Sequence, residues 1–503
     1  MTTLEHPVPQ VDNLLAGPKA KRRDSAYTIA ALAITAFYVA TAFYLAAHRL
    51  YWNDEILTVV VARLPRWTDA WTALSRAVDS QPPFYYLIVR AAETLFGHSE
   101  IAGRLPSILS MAAAMLITFD CARRLVGGLH GLLALAVLAC SMLPYYGYEA
   151  RPYALCVMLA ALAFWIWLRD SNDAIRPAIA FGAVMFLGVA IHYYFVLSLI
   201  PYAAWEATNW RRGKWPTRKL IAGAVGVILP AIIQAPVILS FSRQFGHSFI
   251  GHPTFWVLGK TFADFFPNGL MLLAFIMVII ALARPEAPAE SEPIQAAEVV
   301  GWLFLLIPIA GFLLAEWKTN AFFPRYFIGA LPGVAVAFSC CLARVLRRAY
   351  AASAAIVVIL MVWAVSNQLQ VVRHPESVDR AGSQGATRRY LALENRVHRA
   401  DTQHIVFFDA LPYLEARYYS RYPQQCVLFL LPPDEEVDAH ATRVLFNLAA
   451  YYPMQFWTLD DLKNHARDTV LVGPTPNTLQ SMEQAGFRLD VPVTEPWKVA
   501  YLQ

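Results

Sequence analysis

The chain has 503 residues, of which 57% are hydrophobic and only 15% charged, with a mean hydropathy of +0.42. That is too apolar for an ordinary soluble domain and points to a polytopic membrane protein. The net charge of +5 is gathered in a few short segments, which argues for a topology signal and against nucleic-acid binding.

Residues 1–26 are polar and end in Lys19, Lys21, Arg22 and Arg23, the pattern of a cytoplasmic tail. No small-residue cleavage site follows the first apolar run, so that run, 27–47, reads as a span and not as a signal peptide. The next loop, from His48 to about Ile101, is long and half polar. Trp67, Ala70, Trp71, Leu74 and Val78 recur in it at helical spacing, which predicts a helix lying on the membrane interface with its tryptophans at headgroup depth. Pro82-Pro83 then opens another helix. Its Phe84, Leu87, Ile88, Ala91 and Leu95 share one face, and Tyr86, Arg90, Glu93 and Thr94 share the other. About 14 residues rise only ~21 Å, so this helix is expected to be interfacial or re-entrant.

Further spans are expected at about 103–121, 129–145, 153–169, 176–191, 194–208, 219–241, 267–283, 298–316, 325–343 and 350–369, about eleven in all. This count places Arg123-Arg124, Arg169/Arg176, Arg211-Arg212/Lys214/Arg218/Lys219 and Arg344/Arg347-Arg348 in cytoplasmic loops and leaves the opposite loops poor in basic residues. It also puts the C-terminus outside, with the first long loop. The segment 284–297 is rich in Pro, Ala and Glu and reads as a flexible cytoplasmic loop. No internal repeat is evident, which weighs against inverted-repeat transporters. After Arg373 the composition changes. Strand-like runs at His404–Phe408, Gln425–Leu430, Arg443–Leu448, Gln455–Leu459, Thr469–Gly473 and Val499–Leu502 alternate with helical patterns, which predicts a small α/β domain. The organisation expected is thus a tail at 1–26, a transmembrane module at 27–372 and an outer domain at 373–503. The six cysteines form no CxxC or zinc pattern, and Cys426, alone in the polar tail, has no partner there.

Five groups of residues could carry chemistry. Asp54-Glu55, in Tyr51-Trp52-Asn53-Asp54-Glu55, is an acidic pair at a membrane edge, where a carboxylate can act as general base on a hydroxyl. It reads equally well as an acidic cap on the helix beginning near Ile56. Tyr145-Tyr146-Gly147-Tyr148-Glu149-Ala150-Arg151-Pro152-Tyr153 packs tyrosines, a carboxylate and an arginine into one outer turn. That composition suits a sugar, and suits equally an aromatic belt with an anchoring ion pair. Arg104, Arg151 and Arg325 are expected on the same face. Together they suit a lipid phosphate, whereas singly each is a snorkelling helix anchor. His192, in His192-Tyr193-Tyr194, could bind an acceptor or a metal, or hydrogen-bond at the interface as such residues more often do. His247 and His252 fit no closed metal site, and no metal-ligand set is expected.

Taken in order, these residues resemble the GT-C glycosyltransferases of the dolichyl-phosphate-mannose protein mannosyltransferase superfamily. The nearest likeness is to the bacterial branch of lipid A aminoarabinose transferases and Rgt-type galacturonosyltransferases. The resemblance rests on Asp54-Glu55, Gln81-Pro82-Pro83-Phe84-Tyr85-Tyr86 with Phe96-Gly97, Arg104-Leu105-Pro106-Ser107, Tyr148-Glu149-Ala150-Arg151-Pro152-Tyr153, and Arg325-Tyr326 with Leu331-Pro332-Gly333. It covers residues 27 to about 345 and leaves the C-terminal domain aside. It implies a bacterial inner-membrane enzyme, N-terminus cytoplasmic and C-terminal domain periplasmic, that moves a sugar from a polyprenyl phosphate to an acceptor hydroxyl on a lipid, glycan or protein and inverts the anomeric centre. By the same resemblance Asp54 is the base, Glu55 its support and Glu149 a second acidic position. Arg104, Arg151 and Arg325 face the donor phosphate, and Gln81, Tyr148, Tyr153, His192 and Tyr326 line the substrate. Relatives often carry aspartate at the position of Glu149, and the longer side chain leaves open any need for a divalent metal. A lipid-linked sugar flippase and a polyprenyl-diphosphate glycan ligase are the competing expectations.

Overall fold

The computed structural model describes residues 18–169, 174–211, 217–245, 252–266, 295–347, 349–375, 387–388, 390–392, 394, 403–430, 439–465, 468–473, 480, 482–484, 487, 489–493 and 499–502. The chain divides into two compact units. One joins residues 1–47, 81–242 and 249–373, and the other joins 48–80, 243–248 and 374–503. The first long loop thus folds with the C-terminal part of the chain.

Chain order begins α1 (Pro18–His48), α2 (Asn53–Ala62), α3 (Trp67–Ser75), α4 (Phe84–Phe96), α5 (Glu100–Val126), α6 (Gly128–Cys140), α7 (Leu143–Gly147) and α8 (Tyr153–Arg169). It continues with α9 (Ile175–Ile191), α10 (Ile200–Trp210), α11 (Arg218–Phe245), α12 (Phe255–Phe265), α13 (Ala296–Leu303), α14 (Leu306–Leu314), α15 (Leu331–Val345) and α16 (Tyr350–Arg373). Among the described residues, six helical stretches are long and apolar enough to cross a membrane: Asp24–His48, Glu100–Val126, Arg218–Phe245, Ala296–Thr319, Ile328–Val345 and Tyr350–Arg373. Gly128–Cys140, Tyr153–Arg169 and Ile175–Ile191 are shorter apolar helices. The expected span at 194–208 is split between a 3-10 turn, Tyr193–Leu199, and α10. The expected span at 267–283, most of the loop at 284–297, and His247 lie outside the described residues. The Pro82-Pro83 helix is α4. Its 13 residues rise about 20 Å, short of a bilayer core.

Local chemistry fixes where these helices begin and end. Ser99 caps α5 by accepting from the Ala102 amide at 3.2 Å, and Gly127, at φ +90°, ends it in a conformation that side chains resist. At that end of the bundle, Asp120 of α5 accepts from Arg123, Arg124 and the Trp165 indole of α8, while Arg123 also reaches Asp24 of α1 at 2.7 Å. Glu298 of α13 pairs with Arg344 of α15 at 2.6 Å. Of the predicted arginine clusters, Arg123, Arg124 and Arg344 therefore hold helix ends together.

The second unit contains a six-stranded sheet: β1 (His404–Phe407), β2 (Cys426–Phe429), β3 (Phe456–Trp457), β4 (Thr469–Val472), β5 (Leu489–Val493) and β6 (Val499–Leu502). Strand order is β3-β2-β1-β4-β6-β5, parallel from β3 to β4 and antiparallel beyond. Helices α17 (Ala410–Tyr419), α18 (Ala439–Ala449) and α19 (Leu459–Asn464) lie between the parallel strands in sequence. The central strands are buried on both faces, as parallel strands covered by crossovers are. The strand expected at Arg443–Leu448 is instead part of α18. Val444, Leu445 and Leu448 are buried at helical spacing while Phe446 is exposed, so the run has period 3.6 and not 2. All six cysteines are free thiols, five of them buried and Cys341 half-buried. Burial pushes the Cys426 thiol up to about 12.

Helix packing in the first unit depends on small residues. A Cβ on Gly301 of α13 would lie 2.6 Å from the Gly333 carbonyl oxygen and 2.7 Å from Ala337 of α15. Backbone cannot yield as a flexible side chain does, so Gly301→Leu is expected to cost about 1–3 kcal/mol. Thermal unfolding in detergent should show it as a lowered Tm; an unchanged Tm would mean that the close approach is not stabilising.

Candidate functional site

The acidic pair opens α2 in the second unit. Trp52 is the residue before the helix, and Asn53, Asp54 and Glu55 are its first three positions. The cap role considered for Asp54 falls elsewhere: the fully buried Glu55 carboxylate accepts from the Trp52 amide at 3.3 Å, the returning half of a capping box. The reason is register, since the helix starts three residues before Ile56. Asp54 is half-buried, and its backbone carbonyl accepts from Thr58 Oγ1 at 2.9 Å. Two carboxylates in the first turn are favoured there by the helix dipole.

The remaining predicted residues belong to the first unit. Glu149, Ala150 and Arg151 form a buried turn between α7 and α8, closed by the Arg151 amide donating to the Glu149 carbonyl at 2.8 Å. The Arg151 carbonyl accepts from Ser107 Oγ at 3.0 Å, and Ser107 Oγ also meets the Tyr85 hydroxyl at 3.1 Å. The proline-led helix α4, the Arg104-Leu105-Pro106-Ser107 segment and the Glu149 turn are thereby one connected structure. Arg104, fully buried in α5, donates from Nη1 to the Ala46 carbonyl of α1 at 3.1 Å, so part of its guanidinium is committed to helix anchoring. Gln81 is buried where the chain re-enters this unit.

Five predicted residues converge at the start of α8, the end of α9 and the turn before α15. His192 lies 5.7 Å from Tyr153 and 5.0 Å from Tyr326, ring centre to ring centre. Tyr153 and Tyr326 are stacked at 6.4 Å. The Arg325 guanidinium lies 5.9 Å from the Tyr153 ring, 5.8 Å from Tyr326 and 4.6 Å from Phe323, within cation–π range. Burial, then Arg151 and Arg325, push His192 down to about 3. Two guanidinium groups therefore act on one neutral imidazole, which makes the pocket electropositive. Tyr148 joins through a chain of edge contacts: Tyr148 to Tyr145, Tyr145 to Tyr146, and Tyr146 to Tyr153, at 5.7, 5.4 and 5.4 Å. A cavity of about 10 Å³, room for one water, is lined here by Tyr153, His192, Tyr194, Arg325 and Tyr326.

Two glycines permit this packing. A Cβ on Gly188 would lie 2.0 Å from the Phe195 ring, and one on Gly311 would lie 2.1 Å from Phe327. Those rings flank His192 and Arg325-Tyr326 in sequence. Tyr194 and Phe323 are site residues that sequence reasoning did not single out. Tyr194 packs 5.1 Å from Tyr326, and its hydroxyl binds Thr319 and the Ala321 carbonyl, each at 2.5 Å. Each is two residues from a predicted position, and that proximity was the available signal. His252, at 3.0 Å from Asn320, takes no part in this cluster. Among the described residues no three His, Cys, Asp or Glu side chains gather as a metal-binding group.

Residues 80–239 match the family model described as dolichyl-phosphate-mannose-protein mannosyltransferase. No curated protein sequence matches the chain significantly. Among solved structures, the chain is similar to ArnT from Cupriavidus metallidurans in the apo state, with a TM-score of 0.62 at 13% identity, over 95% of this chain and 98% of that one. For the same protein bound to undecaprenyl phosphate the TM-score is 0.57 at 13% identity, over 94% and 97%. An Archaeoglobus fulgidus oligosaccharyltransferase aligns at a TM-score of 0.40 and 11% identity, over 91% of this chain and 72% of that one. The chain thus carries a stretch similar to this family model at residues 80–239 and has an ArnT-like fold along nearly its whole length.

Proposed function

We propose that the protein transfers a sugar from a polyprenyl monophosphate to an acceptor hydroxyl at the outer face of the bacterial inner membrane. The observation that carries this reading is the placing of the Arg325 guanidinium against Tyr153, Tyr326 and Phe323, beside the buried His192, with Tyr153 close in sequence to the buried Arg151. A phosphate monoester is the anion such a pocket suits, because a guanidinium fork binds it with charge-assisted hydrogen bonds. Tyr153, Tyr326 and Tyr148 offer ring faces and hydroxyls to a sugar. The bound undecaprenyl phosphate of the similarly folded ArnT supports a lipid phosphate as the donor's carrier.

In the reaction, the acceptor oxygen attacks the anomeric carbon, and the bond from that carbon to the phosphate oxygen breaks. The electron pair leaves with the polyprenyl phosphate, where Arg151 and Arg325 stabilise the growing negative charge. The acceptor proton passes to the Asp54 carboxylate. One base suffices, since the phosphate leaves without needing a proton. A single displacement inverts the anomeric centre. Glu55 fixes the turn that carries Asp54, and Arg104 anchors α5 to α1.

Asp54→Asn keeps the shape and removes the base, so it is expected to lower kcat about 10²- to 10⁴-fold while donor binding persists. Transfer of labelled sugar from polyprenyl-phosphate donors in membranes reads this. Normal transfer by the variant would eliminate Asp54 as the base, and lipid translocation without transfer by the wild type would point to a flippase.

Arg325→Lys retains charge and loses the planar fork, so donor affinity should fall about tenfold, measured by titration with undecaprenyl phosphate. An unaltered affinity would move the phosphate away from Arg325.

Low pH probes His192. The unfolded chain takes up a proton near pH 6.5 that the folded chain refuses until about 3. The stability held by this neutral imidazole is therefore full above about 6.5 and is lost as pH falls toward 3. His192→Gln is expected to shrink the drop in Tm between pH 7.5 and 5; an identical drop in both proteins would mean that His192 is protonated in the folded state.

A further inference from the structure

The second unit shows how the acidic turn is held. Tyr51, Asn53 and Arg63 bracket Asp54-Glu55, and each is bound by one face of α17. The Tyr51 amide donates to the Tyr419 hydroxyl at 2.6 Å, and the buried Tyr51 ring meets Tyr418 edge-on at 6.2 Å. Arg63, just past the end of α2, donates from Nη1 to the Tyr418 hydroxyl at 2.7 Å and lies 5.7 Å from that ring. Between them, Asn53 Nδ2 donates to Glu415 Oε1 at 3.0 Å. The other oxygen of Glu415 accepts from Thr387 Oγ1, and Arg388 donates to the His48 carbonyl. Glu415 is fully buried, so its charge is stabilised only by what surrounds it. Its carboxylate lies beside the amino end of α2, where the helix dipole favours an anion. Residues 415, 418 and 419 are three and four apart, which puts them on a single face of α17.

From this we infer that the C-terminal α/β domain is a positioning element for the catalytic turn, with Glu415 its central positioning residue. The inference rests on the role proposed above for Asp54. Glu415 touches no substrate; it acts through Asn53, which precedes Asp54 directly. A base must lie within hydrogen-bond reach of the proton it takes, so an error of about 1 Å in its position can cost a hundredfold in rate. The hydroxyl of Tyr419 fixes the backbone on one side of the turn, Glu415 fixes the first helical residue, and Tyr418 fixes the far end of α2. The C-terminal domain thus serves the reaction without contributing a reacting group.

The test uses the full chain in detergent or membranes, with Glu415→Ala, Glu415→Gln and Tyr419→Phe. Glu415→Ala is expected to lower kcat about 10- to 100-fold with KM for the polyprenyl-phosphate sugar unchanged. Glu415→Gln should restore most of kcat, because its amide oxygen still accepts from Asn53 and the Thr387 hydroxyl can turn to accept from its NH2 group. Amide hydrogen exchange over Tyr51–Ile56 should accelerate in Glu415→Ala and stay slow in Glu415→Gln. If Glu415→Ala does not fold, Tyr419→Phe, which deletes one hydroxyl, carries the same kcat and exchange measurements. A folded Glu415→Ala with wild-type kcat and wild-type protection of Tyr51–Ile56 overturns the inference. If Asp54→Asn transfers normally, the role of Asp54 falls, and the exchange measurement still decides whether Glu415 holds the turn.

Discussion

A cation that cannot reach bulk water must find its stabilisation inside the protein, and that constraint organises the first unit. Arg104 and Arg151 are buried in a chain whose helices are otherwise built from alanine, leucine, valine and phenylalanine. The cost of taking such charges out of water is several kcal/mol each unless the surroundings compensate. Compensation has a recognisable form here: a carbonyl of α1 for Arg104, ring faces for Arg325, and an imidazole that gives up its own proton near Arg151 and Arg325. The tyrosines follow from the same need, since their rings tolerate an apolar bundle and their hydroxyls do not have to reach solvent to be satisfied.

Much of this was legible in the sequence because it is written in short segments. Tyr148 to Tyr153 and Arg325-Tyr326 are runs in which residue type alone signals an aromatic, cationic surface. The period of the apolar residues located α3 and α4. Where the sequence misled, the causes are identifiable. Arg443–Leu448 is rich in residues that also suit strands, and only the pairing of buried positions at helical spacing assigns it to α18. The strand Leu489–Val493 contains Pro492, which cannot donate to a ladder. It is tolerated because β5 is at the sheet edge, with a register irregularity between Asp490 and Val493.

The attachment of the first long loop to the C-terminal domain was beyond reach of any local pattern. Tyr51 and Tyr419 are 368 positions apart, and nothing in either neighbourhood names the other. Asn53 reads as a helix-start residue and Glu415 as a surface carboxylate on an amphipathic helix. Their pairing becomes visible only when the burial of both is known. Sequence reasoning therefore recognised the acidic pair and missed what holds it.

The thiols of this chain have a practical consequence. Alkylating reagents attack the thiolate, and a buried thiol in apolar surroundings neither ionises nor admits the reagent. Five of the six cysteines are in that condition, and only Cys341 is half-exposed. With Cys341 changed to serine, the native protein becomes nearly silent to maleimides while keeping its buried thiols intact. A single cysteine introduced at half-buried Leu57 of α2 would then be the one reactive position, and a fluorophore or spin label placed there would report the motion of the acidic turn directly during turnover.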